Sequence, residues 1–195
     1  MLHSYALTSL NNMKTYLNIS GSSKDALLEL LINAMTDHIE SYCNDRRFKD
    51  TTYTQVEYDG TGTKTIVLDQ FPITETTTFV LEENAEPNNQ DDWSELATKR
   101  YWQDTDEGIL RAYDILFKKS PHKYRVTYSA GYDTIPSDLE LACVLLASEF
   151  FLKGGSTGVV SETLGDHSIT FNQFSQLAQN STVSLILNKY RDIRV

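Results

Sequence analysis

The segment Leu139 to Leu152 constrains the fold more than any other, because only Glu140, Ser148 and Glu149 interrupt its apolar run. Glu140 and Glu149 stand nine residues apart, about 180° around a helix, so a helix here has no single wet face. It falls short of the roughly 20 residues that a membrane span needs. A helix of this kind must be enclosed, by its own fold, by a neighbouring subunit, or by both; the reading here is both. Pro136 opens it, and Ser137 with Glu140 has the spacing of a capping box.

The spacing predicts other elements around it. Thr8 or Ser9 caps a short helix carrying Leu10, Met13 and Leu17 on one face, closed by Gly21. Ser22 and Asp25 are spaced as a second capping box. Leu28, Ile32, Met35, Ile39 and Tyr42 then follow at helical intervals to about Asn44. That stripe is read as core. From Thr51 the period changes, and Tyr53, Val56, Tyr58 and Thr65 to Leu68 are rich in strand formers. Asp59-Gly60-Thr61-Gly62 between them reads as a hairpin turn. Further strands are expected at 76–81, 101–102, 109–110 and 124–128. Residues 82–100 are acidic and rich in turn formers, which predicts a surface loop. Asp104 to Gly108 reads as a turn between strands. Phe174, Leu177 and Ala178 begin a last helix that resumes at Leu185-Ile186-Leu187 and Tyr190.

The expected architecture is therefore α+β and mainly α, one domain over 1–195. It is a small bundle of three to four helices (about 8–18, 23–45, 136–153 and 173–191) with an inserted antiparallel β-hairpin or sheet region at about 51–128. A chain of 195 residues buries about 70% of its unfolded surface, enough to fold without a staple. The formal charge of −10 repels phosphate backbones and argues against tight nucleic-acid binding. Cys43 and Cys143 both lie in apolar stretches and read as buried thiols; a disulfide between them is geometrically open, but nothing argues for it. Met1 to Tyr5 lacks a basic start before an apolar run, so no signal peptide is expected.

No motif carries chemistry. Gly154-Gly155-Ser156-Thr157-Gly158 matches G-x-S-x-G, but it follows a helix, where a nucleophile elbow needs a strand. Asp166-His167-Ser168 holds triad residue types as sequence neighbours, whose side chains diverge. Asp104 to Gly108 resembles the front of a calcium loop, with one acidic position missing and its glycine one residue early. His3, His38, His122 and His167 have no metal-ligand spacing, and no phosphate-binding glycine motif occurs. The basic clusters Arg46-Arg47-Phe48-Lys49 and Lys118 to Arg125 read as solvated surface or intersubunit ion pairs. No catalytic residue, metal or cofactor is expected.

Taken in order, several segments carry a resemblance. They are Thr8-Ser9-Leu10 through Leu17, Ala26 to Phe48, Asp59-Gly60-Thr61-Gly62, and Leu68 through Phe71-Pro72-Ile73. Val126-Thr127-Tyr128-Ser129-Ala130-Gly131-Tyr132 through Pro136, Leu139 and Ala142 is the most telling, and Glu162 to Ser168 and Ile186 to Arg191 complete the set. Together they resemble the phage head–tail connector (adaptor) family. The acidic stretch 82–100 is longer than that family's common pattern.

The resemblance implies a structural virion protein of the neck, assembled in the host cytoplasm. Its copies would form a ring, usually twelve-fold, beneath the portal. The ring would extend the DNA channel, which genomic DNA traverses without specific binding, and would dock a tail or stopper protein. No membrane partner is implied. The C-terminal segment would contact the portal through Leu185, Ile186, Leu187, Tyr190, Arg191 and Ile193. Tyr58, Asp59, Thr61, Phe150 and Phe151 are the candidates for contact with a neighbouring subunit or the tail. The rival readings are a tail-completion or stopper protein of the same neck, and a small hydrolase using Ser156.

Overall fold

The computed structural model describes residues 1–74, 79–85, 92–153, 161–164, 167–170 and 181–191. The chain divides into two compact units: Met1–Arg46 with Ile135–Val195, and Arg47–Thr134.

The first unit is helical. Helix α1 (Leu10–Leu17) starts where the Ser9 hydroxyl accepts from the Asn12 amide at 3.1 Å, and ends at Asn18 in the left-handed conformation. Helix α2 spans Asp25–Tyr42, and its predicted stripe Leu28, Ile32, Met35 and Ile39 is buried. The expected Ser22–Asp25 box is not made. Lys24 flanks the helix without a side-chain cap, and the Asp25 carboxylate takes Lys14 Nζ at 2.7 Å instead.

Helix α3 (Ser137–Lys153) packs against α1, α2 and α4 (Ser181–Tyr190). That enclosure is why its Leu139, Ala142, Cys143, Leu146 and Ala147 can all be buried. Glu140 accepts from the Thr8 hydroxyl (2.9 Å) and from Asn12 Nδ2 (2.6 Å), tying α3 to the start of α1. Strands β8 (Ser161–Leu164) and β9 (His167–Thr170) pair antiparallel.

The second unit is built from strands. One sheet has the order β1-β7-β3-β4, made of Thr51–Gly60, Ser120–Ala130, Val80–Asn84 and Trp93–Glu95. The other has the order β2-β6-β5, made of Thr65–Val67, Ile109–Ala112 and Tyr101–Asp104. Both sheets contribute to one apolar core: Tyr58, Leu81, Tyr124, Val126 and Tyr128 from the first, Ile66, Tyr101, Leu110 and Ala112 from the second. Phe117 adds its ring edge-on to Tyr124, 5.2 Å between centroids.

This corrects the expectation of a mainly helical bundle carrying a β-hairpin insertion. The described residues hold nine strands beside four helices, and the strands enclose a core of their own. The predicted hairpin between β1 and β2 does not form; β1 pairs with β7 and β2 with β6. The physical reason lies at the glycines. A β-carbon on Gly60 would run into the Lys118 carbonyl, and the Gly62 amide donates to the Phe117 carbonyl at 2.7 Å with φ at +76°. These glycines let the chain press against residues 117–118 while it passes from one sheet to the other. Much of the acidic stretch is also paired: β3 and β4 match Glu82 with Glu95 and Asn84 with Trp93. Among the described residues no helix is long and apolar enough to cross a membrane.

Candidate assembly surfaces

Helix α4 is fastened to its own unit before it offers anything outward. Val183, Leu187 and Tyr190 are buried, on the inward side of the helix. Arg46 Nη1 donates to the Tyr190 carbonyl at 2.9 Å, and Tyr42 donates its hydroxyl to Asn188 Oδ1 at 2.9 Å. The Tyr190 hydroxyl donates to Asp138 Oδ1 at 2.5 Å, and Lys189 Nζ reaches Asp138 Oδ2 at 2.9 Å. Burial alone would raise the Asp138 carboxyl; the hydrogen bonds from Tyr190, Lys189 and the Leu139 amide outweigh it and hold the group below its usual range. Burial, with the bond to Asp138, pushes the Tyr190 phenol up to about 12.

Of the residues expected to meet the portal, Leu187 and Tyr190 therefore belong to the core of their own unit. Leu185 is 73% exposed, Ile186 is half-buried, and Arg191 is exposed with its guanidinium 5.6 Å from the Tyr42 ring centre. Ile193 lies outside the described residues, as does Ser156.

The candidates for a neighbour or tail contact are also divided. Tyr58 is buried, its hydroxyl 3.0 Å from that of Tyr128. Asp59 is exposed and accepts from the His122 amide at 2.9 Å; Thr61 is exposed at the following turn. Phe150 and Phe151 are half-buried on α3. Asp59 and Thr61 lie in the strand unit, Phe150 and Phe151 in the helical one.

Both thiols are buried and free. Burial pushes Cys43 up to about 11 and Cys143 up to about 12, so neither is a thiolate near neutral pH. Among the described residues no group of His, Cys, Asp and Glu could hold a metal ion.

The sequence reading missed the outer face of the three-stranded sheet. Its inner residues Ile66, Leu110, Tyr101 and Ala112 fill the core. Alternation then turns Val67 and Trp102 outward, 45% and 48% exposed, with Arg111 opposite Trp102 and its guanidinium 6.0 Å from the indole. Tyr113 and Leu116, just beyond β6, are 58% and 56% exposed. The signal available was Tyr101-Trp102 itself: two aromatics in succession on a strand cannot both point inward.

These surfaces belong to a chain with known likenesses. A family model described as "HCP: Head completion protein" matches residues 6–193. No curated protein matches. Eight chains of solved structures do. One comes from the neck of an empty GTA particle computed with C6 symmetry; it is 16% identical, with a TM-score of 0.55 over 97% of this chain and 91% of that one.

Proposed function

Because the chain belongs to the head completion protein family, matched across residues 6–193, we propose that it is a structural subunit of a phage-type virion neck. Copies of it form a ring at the portal vertex of the filled head and make the platform on which the tail or a stopper protein is seated. The match along almost the whole chain is the observation that carries this reading. The fold shared with a neck component of a GTA particle supports it. A sixfold-symmetric reconstruction is compatible with six or twelve copies; the reading here is twelve, with genomic DNA passing through the ring. The net charge of −10 suits a channel wall that does not hold phosphate. The role is assembly rather than catalysis, carried out in the host cytoplasm and retained in the virion.

The C-terminal helix contacts the portal through its outward residues Leu185, Ile186 and Arg191, while Leu187 and Tyr190 hold the helix in place. Asp59, Thr61, Phe150 and Phe151 remain proposed contacts with a neighbour or the tail. Removal and add-back tests the whole reading. Particles made without the chain should contain packaged DNA but fail to join tails, and purified wild-type chain should restore joining. Chain carrying Leu185→Glu should keep its melting temperature and restore joining poorly. Normal tail joining without the chain would contradict the proposal. Joining that needs another neck protein to be added first would move the chain to the stopper level.

A further inference from the structure

The three-stranded sheet ends in opposite charges. In its register Thr65 lies opposite Arg111 and Tyr101 opposite Ala112, while Val67 and Asp104 both lie opposite Ile109. The start of β2, the end of β6 and the start of β5 therefore meet at one end, and their other ends meet at the opposite end.

The first end is cationic. Lys64 donates its Nζ to the Tyr113 carbonyl at 3.0 Å, and the Tyr113 amide donates to the Arg100 carbonyl at 3.0 Å. Lys99 adjoins Arg100 in the turn before β5, and the Lys119 side chain lies beside Gly62. Asp114 offsets part of this charge, 3.8 Å from Arg100.

The other end is anionic. The Leu68 amide donates to the Gly108 carbonyl at 2.8 Å, which brings Asp69 beside the turn that carries Asp104, Asp106 and Glu107. Arg111 offsets part of it, 3.8 Å from Asp104 and 3.7 Å from Glu107. On the outward face Trp102 stands one residue from the cationic end, with Arg111 opposite it, and Val67 stands at the anionic end, both exposed.

We propose that this sheet is the seam between neighbouring copies, the cationic end of one copy seating against the anionic end of the next. A patch with opposite charges at its ends repels itself when two copies face each other the same way. Face to face and antiparallel it would satisfy both ends at once and close as a pair. Seated end to end, the cationic end of one copy meets the anionic end of the next and leaves its own anionic end for a third, the heterologous contact that generates rings. Charge at the ends orients the approach, and Trp102 of one copy and Val67 of the next supply buried area where the two ends meet. The proposal rests on the ring reading above and adds which surface forms the ring.

Charge exchange tests it. One variant carries Lys64→Glu with Lys119→Glu, a second carries Asp69→Lys with Asp106→Lys, and a third carries all four. All four side chains are exposed, so each purified variant should melt like wild type. In the add-back assay each two-site variant should lower tail joining about tenfold or more. The four-site variant restores attraction at every seam and should return to within about threefold of wild type. Two-site variants that join tails normally, or a four-site variant no better than they are, would overturn the proposal. Lys64→Gln with Lys119→Gln, which removes charge without reversing it, should fall between. Copy number per particle, read by quantitative mass spectrometry, separates the two levels: a single copy refutes the ring itself, whereas many copies without rescue refute only this seam.

Discussion

Gly131 shows why one short segment of this chain is hard to vary. Its φ is +122°, and a β-carbon there would meet the backbone of Lys49 and Asp50 at 2.7–2.8 Å. Its amide donates to the Pro72 carbonyl at 2.9 Å, while Tyr132 exchanges backbone hydrogen bonds with the chain at Phe48 and Asp50. Three stretches of backbone converge here, which only glycine permits. Gly131→Ala is therefore expected to destabilise the protein by about 2 kcal/mol or more, read by denaturant unfolding. Gly21 is the control, since its φ of +77° faces open space; alanine there should cost only about 1 kcal/mol. The segment Ala130-Gly131-Tyr132 was legible as a signature in the sequence, but its reason was not. A contact between residues 49–50 and residue 131 has no local trace in the residue pattern.

At the scale of elements, the helices and the places of most strands were readable, and the pairing of the strands was not. Leu28 to Ile39 carry burial at helical intervals, so period locates that helix, whereas Leu139 to Leu152 was located by an apolar run too long for a strand and by Pro136 and Ser137 at its start. Strands β2 to β6 are three to five residues long, so strand-forming residues marked them only as fragments, and β4, inside the stretch read as a surface loop, was missed. The chemistry of Asp59-Gly60-Thr61-Gly62 is that of a turn, and it does turn the chain; what local chemistry could not tell is that the partner of β1 is β7, about seventy residues on. Helix α4 was legible as a helix but not as a latched one, because Asp138 and Tyr190 meet only in the fold.

That latch carries a pH dependence. Asp138 is held below its ordinary range, so it contributes stability that is present above its unfolded value of about 3.9 and lost as pH falls through the lower folded value. Melting temperature should drop as pH falls below about 4, and Asp138→Asn should flatten that drop while lowering stability at pH 7. Identical pH profiles for the two proteins would show that the carboxylate does not hold the helix.

At the scale of the molecule, the expectation of a helical bundle failed because the strand unit is more than an insertion. Its aromatic residues, Tyr58, Tyr101, Phe117, Tyr124 and Tyr128 among them, are buried against one another in a core of their own. Of these, Tyr58 had been read along the sequence as a contact for a neighbour or the tail; in the fold it is interior. The exposed side chains among the described residues include Leu185 on α4, Arg191 just beyond it, and Trp102 on the sheet face. The functional reading survives that correction because it rested on the order of segments along the chain, which the family match over residues 6–193 covers. A reconstruction of mature particles at a resolution that traces side chains decides whether the chain is a ring subunit of the neck. Several copies arranged as a ring between portal and tail are expected; density for the chain elsewhere in the virion, or none at all, would contradict the proposal.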